Sequence, residues 1–359
     1  MSDTAAATRR DLVVIGGSAG GVAALASLLR SLPPSLPAAV VVVLHRPAVG
    51  SGNLRGVLDR ASALPVVDAA HDDALSPGKV YLAPAGVHVL VRPDRLLLSR
   101  TARVNRVRPA VDPLFRSAAR WFGARTIGVV LSGALDDGAA GLDAIWSCGG
   151  ACLIQHPTDA LFAGMPYAAM LAVPGATVLP VDELGPAMSA LLETRPPVPA
   201  AGPAFGGLPG PPLQLRASDE DPEPDPDLVA ETALTEGNEV QDVGQQPGEP
   251  AQLACPDCRG AMTRIDSGGA VHYRCHVGHS FSPQTLVAAQ SEGVESALWT
   301  AVSILEEQAG LHRSMALRLA GDRRDEHTVK AELAADGADA IRQTIVMVAK
   351  QQEVASEPD

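Results

Sequence analysis

Leu12-Val13-Val14-Ile15-Gly16-Gly17-Ser18-Ala19-Gly20-Gly21 is the stretch from which the rest of the chain can be read. Val13, Val14 and Ile15 form an uninterrupted β-branched run, which predicts a buried strand. The run ends in glycines, and Val22-Ala23-Ala24-Leu25 opens a helical pattern. Ser18 stands in the intervening turn, where flanking glycines let the backbone bend without a Cβ clash and leave its hydroxyl open. The spacing Gly16-x-Ser18-x-Gly20 is that of a nucleophile elbow. A phosphate-cradling glycine loop is the competing reading, so Ser18 needs chemical partners elsewhere.

Besides 12–15, apolar runs at 38–44, 79–82, 126–131 and 151–154 read as strands. Their near-continuous hydrophobicity predicts a parallel sheet covered on both faces. Helical patterns fall at 20–31, 111–122, 137–147 and 183–193, and Val87–Val91 with Arg95–Ser99 reads as an inserted hairpin turning at Pro93-Asp94. Residues 10–193 are therefore expected to form an α/β domain with a doubly wound, mostly parallel (Rossmann-like) sheet.

Aromatic residues make up only 3% of the chain, so Leu, Val and Ala must fill the core. The net charge of −13 is unevenly placed: residues 1–194 carry 16 basic and 15 acidic side chains, 195–250 carry 2 and 11, and 251–359 carry 10 and 15. No basic face for nucleic acid is expected, and no apolar run approaches a membrane span or a signal-peptide core, which points to the cytoplasm. Cys148 and Cys152 sit in apolar surroundings and read as core thiols.

Residues 195–250 combine crowded prolines with the acidic run Asp219-Glu220-Asp221-Pro222-Glu223-Pro224-Asp225-Pro226-Asp227, a composition that predicts a disordered tether. Docking onto Arg92, Arg106, Arg108 or Arg125 is a secondary expectation. Residues 251–283 hold Cys255-x2-Cys258 and Cys275-His276-Val277-Gly278-His279, the knuckle spacing of a zinc ribbon. Cys255, Cys258, Cys275 and His279 are the expected ligands, since adjacent Cys275 and His276 have difficulty turning toward one ion. So small a module lacks a core of its own, and a structural zinc would fold it. From 284 to 350 two apolar stripes predict a helical hairpin or a dimerising coiled coil: Leu298, Val302, Leu305, Ala309, His312, Ala316 and Leu319, then Val329, Leu333, Ala340, Ile341, Ile345 and Val348. His312 reads as a packing residue.

In a doubly wound sheet, functional groups gather beyond the carboxyl ends of the strands. Ser18, His45 and Asp137 each follow a predicted strand. A serine hydroxyl needs an imidazole to accept its proton, and the imidazole needs a carboxylate to fix its tautomer and stabilise its charge. A dinucleotide site would instead want Gly-x-Gly-x-x-Gly and an acid at the second strand end, where His45 stands. A triad of Ser18, His45 and Asp137 is the expectation, with backbone N–H groups near Gly133-Ala134 and after Ser18 as candidate oxyanion donors. Catalysis of this kind needs no cofactor.

Gly16-Gly17-Ser18-Ala19-Gly20-Gly21, His45-Arg46, Pro77 to Pro84, Arg108-Pro109-Ala110-Val111-Asp112, Leu131-Ser132-Gly133-Ala134-Leu135-Asp136-Asp137-Gly138 and Gly164-Met165-Pro166 occur in order. Together they resemble the catalytic domain of CheB-type chemotaxis protein-glutamate methylesterases. The resemblance implies a Ser18-His45-Asp137 triad, with Asp137 rather than Asp136 matching because it directly precedes the glycine. It further implies hydrolysis of glutamate methyl esters on chemoreceptor helices, deamidation of certain receptor glutamines, and a methylated chemoreceptor as partner. A receptor methyltransferase or a second copy, bound through the C-terminal helices, is a further expectation. Many such enzymes begin with a phosphoacceptor receiver domain, for which the eleven residues before the first strand leave no room. Ala19 stands where many have Thr, and Ala134 where many have Met. The reading from another class is a scaffold that keeps the esterase fold and acts through its Cys/His module and helices.

Overall fold

The computed structural model describes residues 9–45, 53–193, 224–237, 247–267 and 270–356, which divide into two compact units, Met1–Leu286 and Val287–Asp359. In the first unit β1 (Leu12–Gly17), α1 (Gly21–Arg30), β2 (Ala39–Leu44), α2 (Leu54–Ala61), β3 (Val66–Asp68) and β4 (Val80–Leu82) build one half of a sheet. The hairpin of β5 (His88–Val91) and β6 (Leu96–Ser99) follows. The second half comprises α3 (Val111–Phe122), β7 (Thr126–Val130), α4 (Ala139–Ser147), β8 (Ala151–Gln155), α5 (Gly164–Ala172), β9 (Thr177–Leu179) and α6 (Val181–Glu193).

The sheet is parallel throughout, in the order β3-β4-β2-β1-β7-β8-β9. Alternation along β1 sends Leu12 and Val14 into a core shared with Leu114, Phe115 and Leu142, while Val13 and Ile15 enter the opposite core with Leu25, Leu28 and Met188. Both faces are dry, which is why the strands read as unbroken apolar runs. The chain winds one way from β1 to β2 and the other way to β7, so the strand order reverses at β1. Ser18 lies just beyond that switch point. Strands β3 and β9, three residues each at the sheet edges, and helices α2 and α5 are elements the periodicity did not single out.

Part of the expected tether is a helix. α7 (Pro226–Thr235) begins with Asp225, whose carboxylate accepts from the Asp227 N–H at 2.8 Å, and with Pro226 in the first turn. An N-cap acid followed by proline is a helix start signal, here hidden within an acidic, proline-rich run. α7 packs on α3 with Leu228, Glu231, Thr232 and Leu234 buried. Of the expected basic docking residues, Arg92 pairs with Glu236 at 2.8 Å, whereas Arg108 donates to the carbonyls of Arg100 and Thr101 and Arg125 pairs with Asp11. Residues 195–223 and 238–246 of the expected tether lie outside the described residues.

The Cys/His segment forms an antiparallel ribbon of β10 (Glu249–Ala254), β11 (Ala261–Ser267), β12 (Ala270–Cys275) and β13 (Ser280–Phe281), within the first unit. Its two knuckles are alike. Arg259 (φ 61°) donates back to the Cys255 carbonyl at 2.8 Å, and Gly278 (φ 101°) donates to the Cys275 carbonyl at 2.8 Å. The left-handed residue in each turn lets the chain reverse around a common centre.

Two long helices follow, α8 (Pro283–Ala316) and α9 (Asp322–Ser356). In the second unit they pair as a hairpin, one of the two expected arrangements, with Val302, Ala338 and Ile345 buried among Leu298, Leu305 and Ile341. The α9 stripe differs from the expected one: Ala331, Ala334 and Ala338 face inward, while Val329 and Leu333 are exposed and Ala340 also points outward. Small side chains win these positions because they allow close approach along the seam. The side chain of Val348 lies outside the described residues. His312 meets His327, Nδ1 to Nδ1, at 2.9 Å. Among the described residues, no helix is long and apolar enough to cross a membrane.

Candidate active site and metal cluster

Parallel pairing of Gly17 with Leu44 brings the ends of β1 and β2 side by side, and the His45 N–H donates to the Gly17 carbonyl at 3.1 Å. The Ser18 N–H donates across the switch point to the Ser132 carbonyl at 2.9 Å. A Cβ on Gly133 would fall 2.9 Å from the Ser18 Cβ and 2.1 Å from the Met165 sulfur, so only glycine fits between them. The turn departs from a strained nucleophile elbow in one respect. The left-handed step falls on Gly20 (φ 75°), which caps α1, and Ser18 is not among the residues with positive φ. Glycine absorbs the conformational cost that an elbow would place on the serine.

His45 Nε2 lies 2.6 Å from Asp137 Oδ2. That use of Nε2 leaves Nδ1 as the other ring nitrogen. Asp137 itself sits at the N-terminus of α3. Its Oδ2 also accepts from the Val111 N–H at 2.6 Å, and its Oδ1 accepts from the Asp112 N–H at 3.3 Å and from the Asn105 amide at 2.9 Å. Burial alone would raise this carboxyl; hydrogen bonding and charge from His45, with the Val111 N–H and the Asn105 amide, more than offset it and hold it below the usual carboxylate range. A helix N-terminus aimed at a carboxylate works in the same direction.

The neighbouring acids behave oppositely. Burial, and then the charge of Asp137, push Asp112 up to about 7. Asp112 Oδ1 accepts from the N–H groups of Gly138 and Gly141 at 3.0 and 2.7 Å, tying the Asp137 turn to α3. Burial also raises Asp136, which accepts from Ser282 Oγ at 2.6 Å and Thr285 Oγ1 at 3.0 Å. His88 is buried and lowered to about 4 by that burial. Neutral, it accepts from the Ala110 N–H and donates to the Ala102 carbonyl, pinning the segment that leads into α3. The Gly133 N–H is taken by the Phe162 carbonyl at 3.0 Å, which removes it from the oxyanion candidates. The N–H groups of Ala19 and Ala134 have no acceptor among the described residues.

Sequence reasoning singled out Ser18, His45 and Asp137, which the fold gathers at one sheet end. It missed Asn105, Asp112 and Ser282. Asp112 lay within the quoted Arg108–Asp112 block and Asn105 three residues before it; nothing local pointed to Ser282. Cys148 and Cys152 are buried in the α/β core, and burial pushes the Cys148 thiol up to about 11.

Cys255, Cys258, Cys275 and His279 converge, with their ligand atoms all within 4.8 Å of one another. Cys255 Sγ and Cys275 Sγ lie 3.8 and 3.6 Å from His279 Nδ1, and Cys258 Sγ lies 3.5 Å from Cys275 Sγ. These separations suit the edges of a tetrahedron around an ion with ~2.3 Å metal–sulfur bonds. His276 turns away and is exposed, its ring lying where a Cβ on Gly260 would clash at 2.2 Å.

The comparisons with known proteins concern the α/β domain. The family model for CheB methylesterase matches residues 13–188. A protein-glutamate methylesterase/protein-glutamine glutaminase of Anaeromyxobacter dehalogenans is 43% identical over 187 residues, covering 52% of this chain and 55% of the relative. The protein-glutamate methylesterase FrzG of Myxococcus xanthus is 39% identical over 181 residues, covering 49% and 53%. The chain thus spans about half the length of these curated relatives. The crystal structure of the Thermotoga maritima CheB methylesterase catalytic domain superimposes with a TM-score of 0.50 at 31% identity, covering 51% of this chain and all of that one. Through its α/β domain, the chain belongs to the CheB methylesterase family.

Proposed function

We propose that the protein is a protein-glutamate methylesterase that hydrolyses glutamate methyl esters on the cytoplasmic helices of chemoreceptors, with Ser18 as nucleophile, His45 as base and Asp137 as its orienting carboxylate. The observation that carries the reading is the 2.6 Å contact of His45 with a buried, multiply hydrogen-bonded Asp137 at the strand end beside Ser18.

His45 Nδ1 takes the Ser18 proton as Oγ attacks the ester carbonyl. The resulting imidazolium is stabilised by Asp137, which stays ionised. The tetrahedral intermediate collapses when His45 returns the proton to the departing methoxy oxygen, releasing methanol and leaving a glutamyl ester on Ser18. Water, deprotonated by the same His45, attacks that ester; the proton passes back to Ser18 Oγ and the glutamate carboxylate is released. A receptor glutamine enters by the same route with ammonia as leaving group. The free N–H groups of Ala19 and Ala134 are the oxyanion donors, each worth ~3 kcal/mol if aimed at the developing charge. Cys255, Cys258, Cys275 and His279 hold a structural zinc, which takes no part in these steps. The enzyme works in the cytoplasm.

The test is mass spectrometry of receptor glutamates. Methylated receptor incubated with the protein is expected to lose 14 Da per ester, and Ser18→Ala to leave the esters intact. Equal loss with parent and variant would remove the proposal. Elemental analysis checks the zinc, at one per chain.

A further inference from the structure

The loop carrying Asn105 is held by the ribbon. Val104 pairs with Ser280 as a parallel bridge, the Asn105 N–H donates to the Ser280 carbonyl at 2.7 Å, and the Ser280 N–H donates to the Arg103 carbonyl at 3.3 Å. Asn105 and Arg106 both take left-handed backbone conformations, φ 49° and 63°. Such a loop, two successive non-glycine residues at positive φ, keeps its shape only when its surroundings enforce it.

The Asn105 side chain is buried and fully committed. Its Nδ2 donates one hydrogen to Asp137 Oδ1 at 2.9 Å and the other to Asp112 Oδ2 at 3.1 Å, and its Oδ1 accepts the Ser282 N–H at 2.8 Å. An amide has one end that donates and one that accepts. The N–H supplied by Ser282 and the two carboxylates therefore select the same orientation, with the NH2 toward the acids. Reversed, the amide would set its oxygen against two acids and its NH2 against an N–H. Where the ribbon passes into α8, Ser282 Oγ and Thr285 Oγ1 hold Asp136, the residue before Asp137. Ser282 follows His279 by three residues, so whatever fixes His279 and Cys275 fixes the chain that reaches Asn105.

We infer that the Cys/His ribbon is a brace for the active site: by holding Ser282 against Asn105 it orients Asp137, so that filling of the Cys255-Cys258-Cys275-His279 cluster by a thiophilic divalent cation such as zinc sets the esterase rate. Asn105 and Ser282 are positioning residues, acting on substrate only through Asp137 and His45. The inference rests on the esterase reading for its rate but not for its geometry, and the readouts separate the two.

The experiment uses the full chain, zinc-loaded and chelator-stripped, with metal content measured on each. Methanol release from methylated receptor, labelling of Ser18 by a fluorophosphonate, and hydrogen exchange of peptides spanning 103–107 and 12–17 are followed together. Stripping is expected to slow methanol release and labelling at least tenfold and to raise exchange at 103–107 while leaving 12–17 protected. Asn105→Ala is expected to keep its zinc, to lose at least tenfold in kcat/KM, and to move the acid limb of the pH–rate profile upward. The sign follows from Asp137 losing one of the donors that favour its ionised form, among the titratable and charged groups His45, Asp112, Asp136, His88 and Arg116 around it. Ser282→Pro, which deletes the N–H, is expected to match it in rate. A chain that takes up no zinc, or a stripped chain with unchanged rate and unchanged exchange at 103–107, overturns the inference and leaves the esterase reading standing. Zinc-dependent exchange at 103–107 in a loaded chain that neither labels nor releases methanol overturns the esterase reading and leaves the brace.

Discussion

Two carboxylate–histidine pairs flank α3, and the proposed function gives them opposite uses. At its N-terminus Asp137 meets His45 at 2.6 Å; farther along, Glu231 of α7 meets His272 of β12 at 2.5 Å beside Arg116. The local chemistry is nearly the same, and access differs. The His45 side chain keeps 14% of its surface exposed, with a serine at the neighbouring strand end, whereas His272 and Glu231 keep 2% and 1%. Burial holds His272 low, and its Nδ1 has no partner. Burial would raise Glu231, but Arg116, then His272, hold it at about 2. An imidazole becomes a base only where one nitrogen can reach a substrate; sealed on every side, the same pair is a clamp between α3, α7 and the ribbon.

The largest expected effect tests the open pair. Ser18→Ala should lower kcat for ester hydrolysis by about 10⁴–10⁶-fold while the melting temperature stays within a degree or so, as a surface-turn change away from the core predicts. Next is Asp137→Asn, which keeps the shape but offers His45 an amide; a loss of about 10⁴-fold in kcat is expected. Both are read from initial rates of methanol release. An Asp137→Asn enzyme with ordinary kcat would make the two pairs equivalent and break the contrast.

Glu231→Gln addresses the sealed pair, where the prediction moves from rate to stability. The substitution leaves Arg116 buried with a weaker partner, and breaking a buried ion pair costs about 3–5 kcal/mol. Chemical denaturation at neutral pH should show a loss of unfolding free energy of that size, with Ser18 labelling retained at temperatures where the variant remains folded. The sign with pH follows from the lowered Glu231: its contribution is present above the unfolded carboxylate range and is lost as pH falls toward about 2. The variant and parent should therefore converge in stability as the solution is acidified.

The two pairs also differ in how far they could be read from sequence. The open one is built at strand ends, and strand ends are announced by local pattern: Val13-Val14-Ile15 before Ser18, Val41-Val42-Val43-Leu44 before His45 and Val129-Val130-Leu131 before Asp137. Helix 111–122 was legible residue for residue even though most of its surface is buried, because Val111, Leu114, Phe115, Ala118, Ala119 and Phe122 keep the helical period. The sealed pair depends on α7, whose sequence has the composition of a solvated tether. Its helix is stabilised by tertiary burial of Leu228 and Leu234 and by Arg116 and His272 meeting Glu231, partners 115 and 41 residues away. Asn105 and Ser282, 177 residues apart, were invisible for the same reason. Local pattern reports where a chain must turn or bury itself; it does not report which distant N–H will select an amide's orientation.

The smallest expected effect lies at the same seam, at Asp143 of α4, which contacts β12. Burial pushes this carboxyl up to about 7, and its Oδ2 has no partner. A group raised in the folded state stabilises below its unfolded value, and that contribution is lost as pH rises through about 7. Above that point the folded protein carries a buried charge without a counterion, so Asp143→Asn, isosteric and uncharged, should raise the melting temperature at pH 8 by a few degrees and have a much smaller effect at pH 5. The Ala270 N–H, which bonds Asp143, keeps an acceptor in the amide oxygen. The measurement is a pair of thermal melts at each pH. Equal shifts at both would mean that the charge at Asp143 is already relieved by solvent entering between α4 and the ribbon, and that the seam is open where the Glu231–His272 pair is sealed.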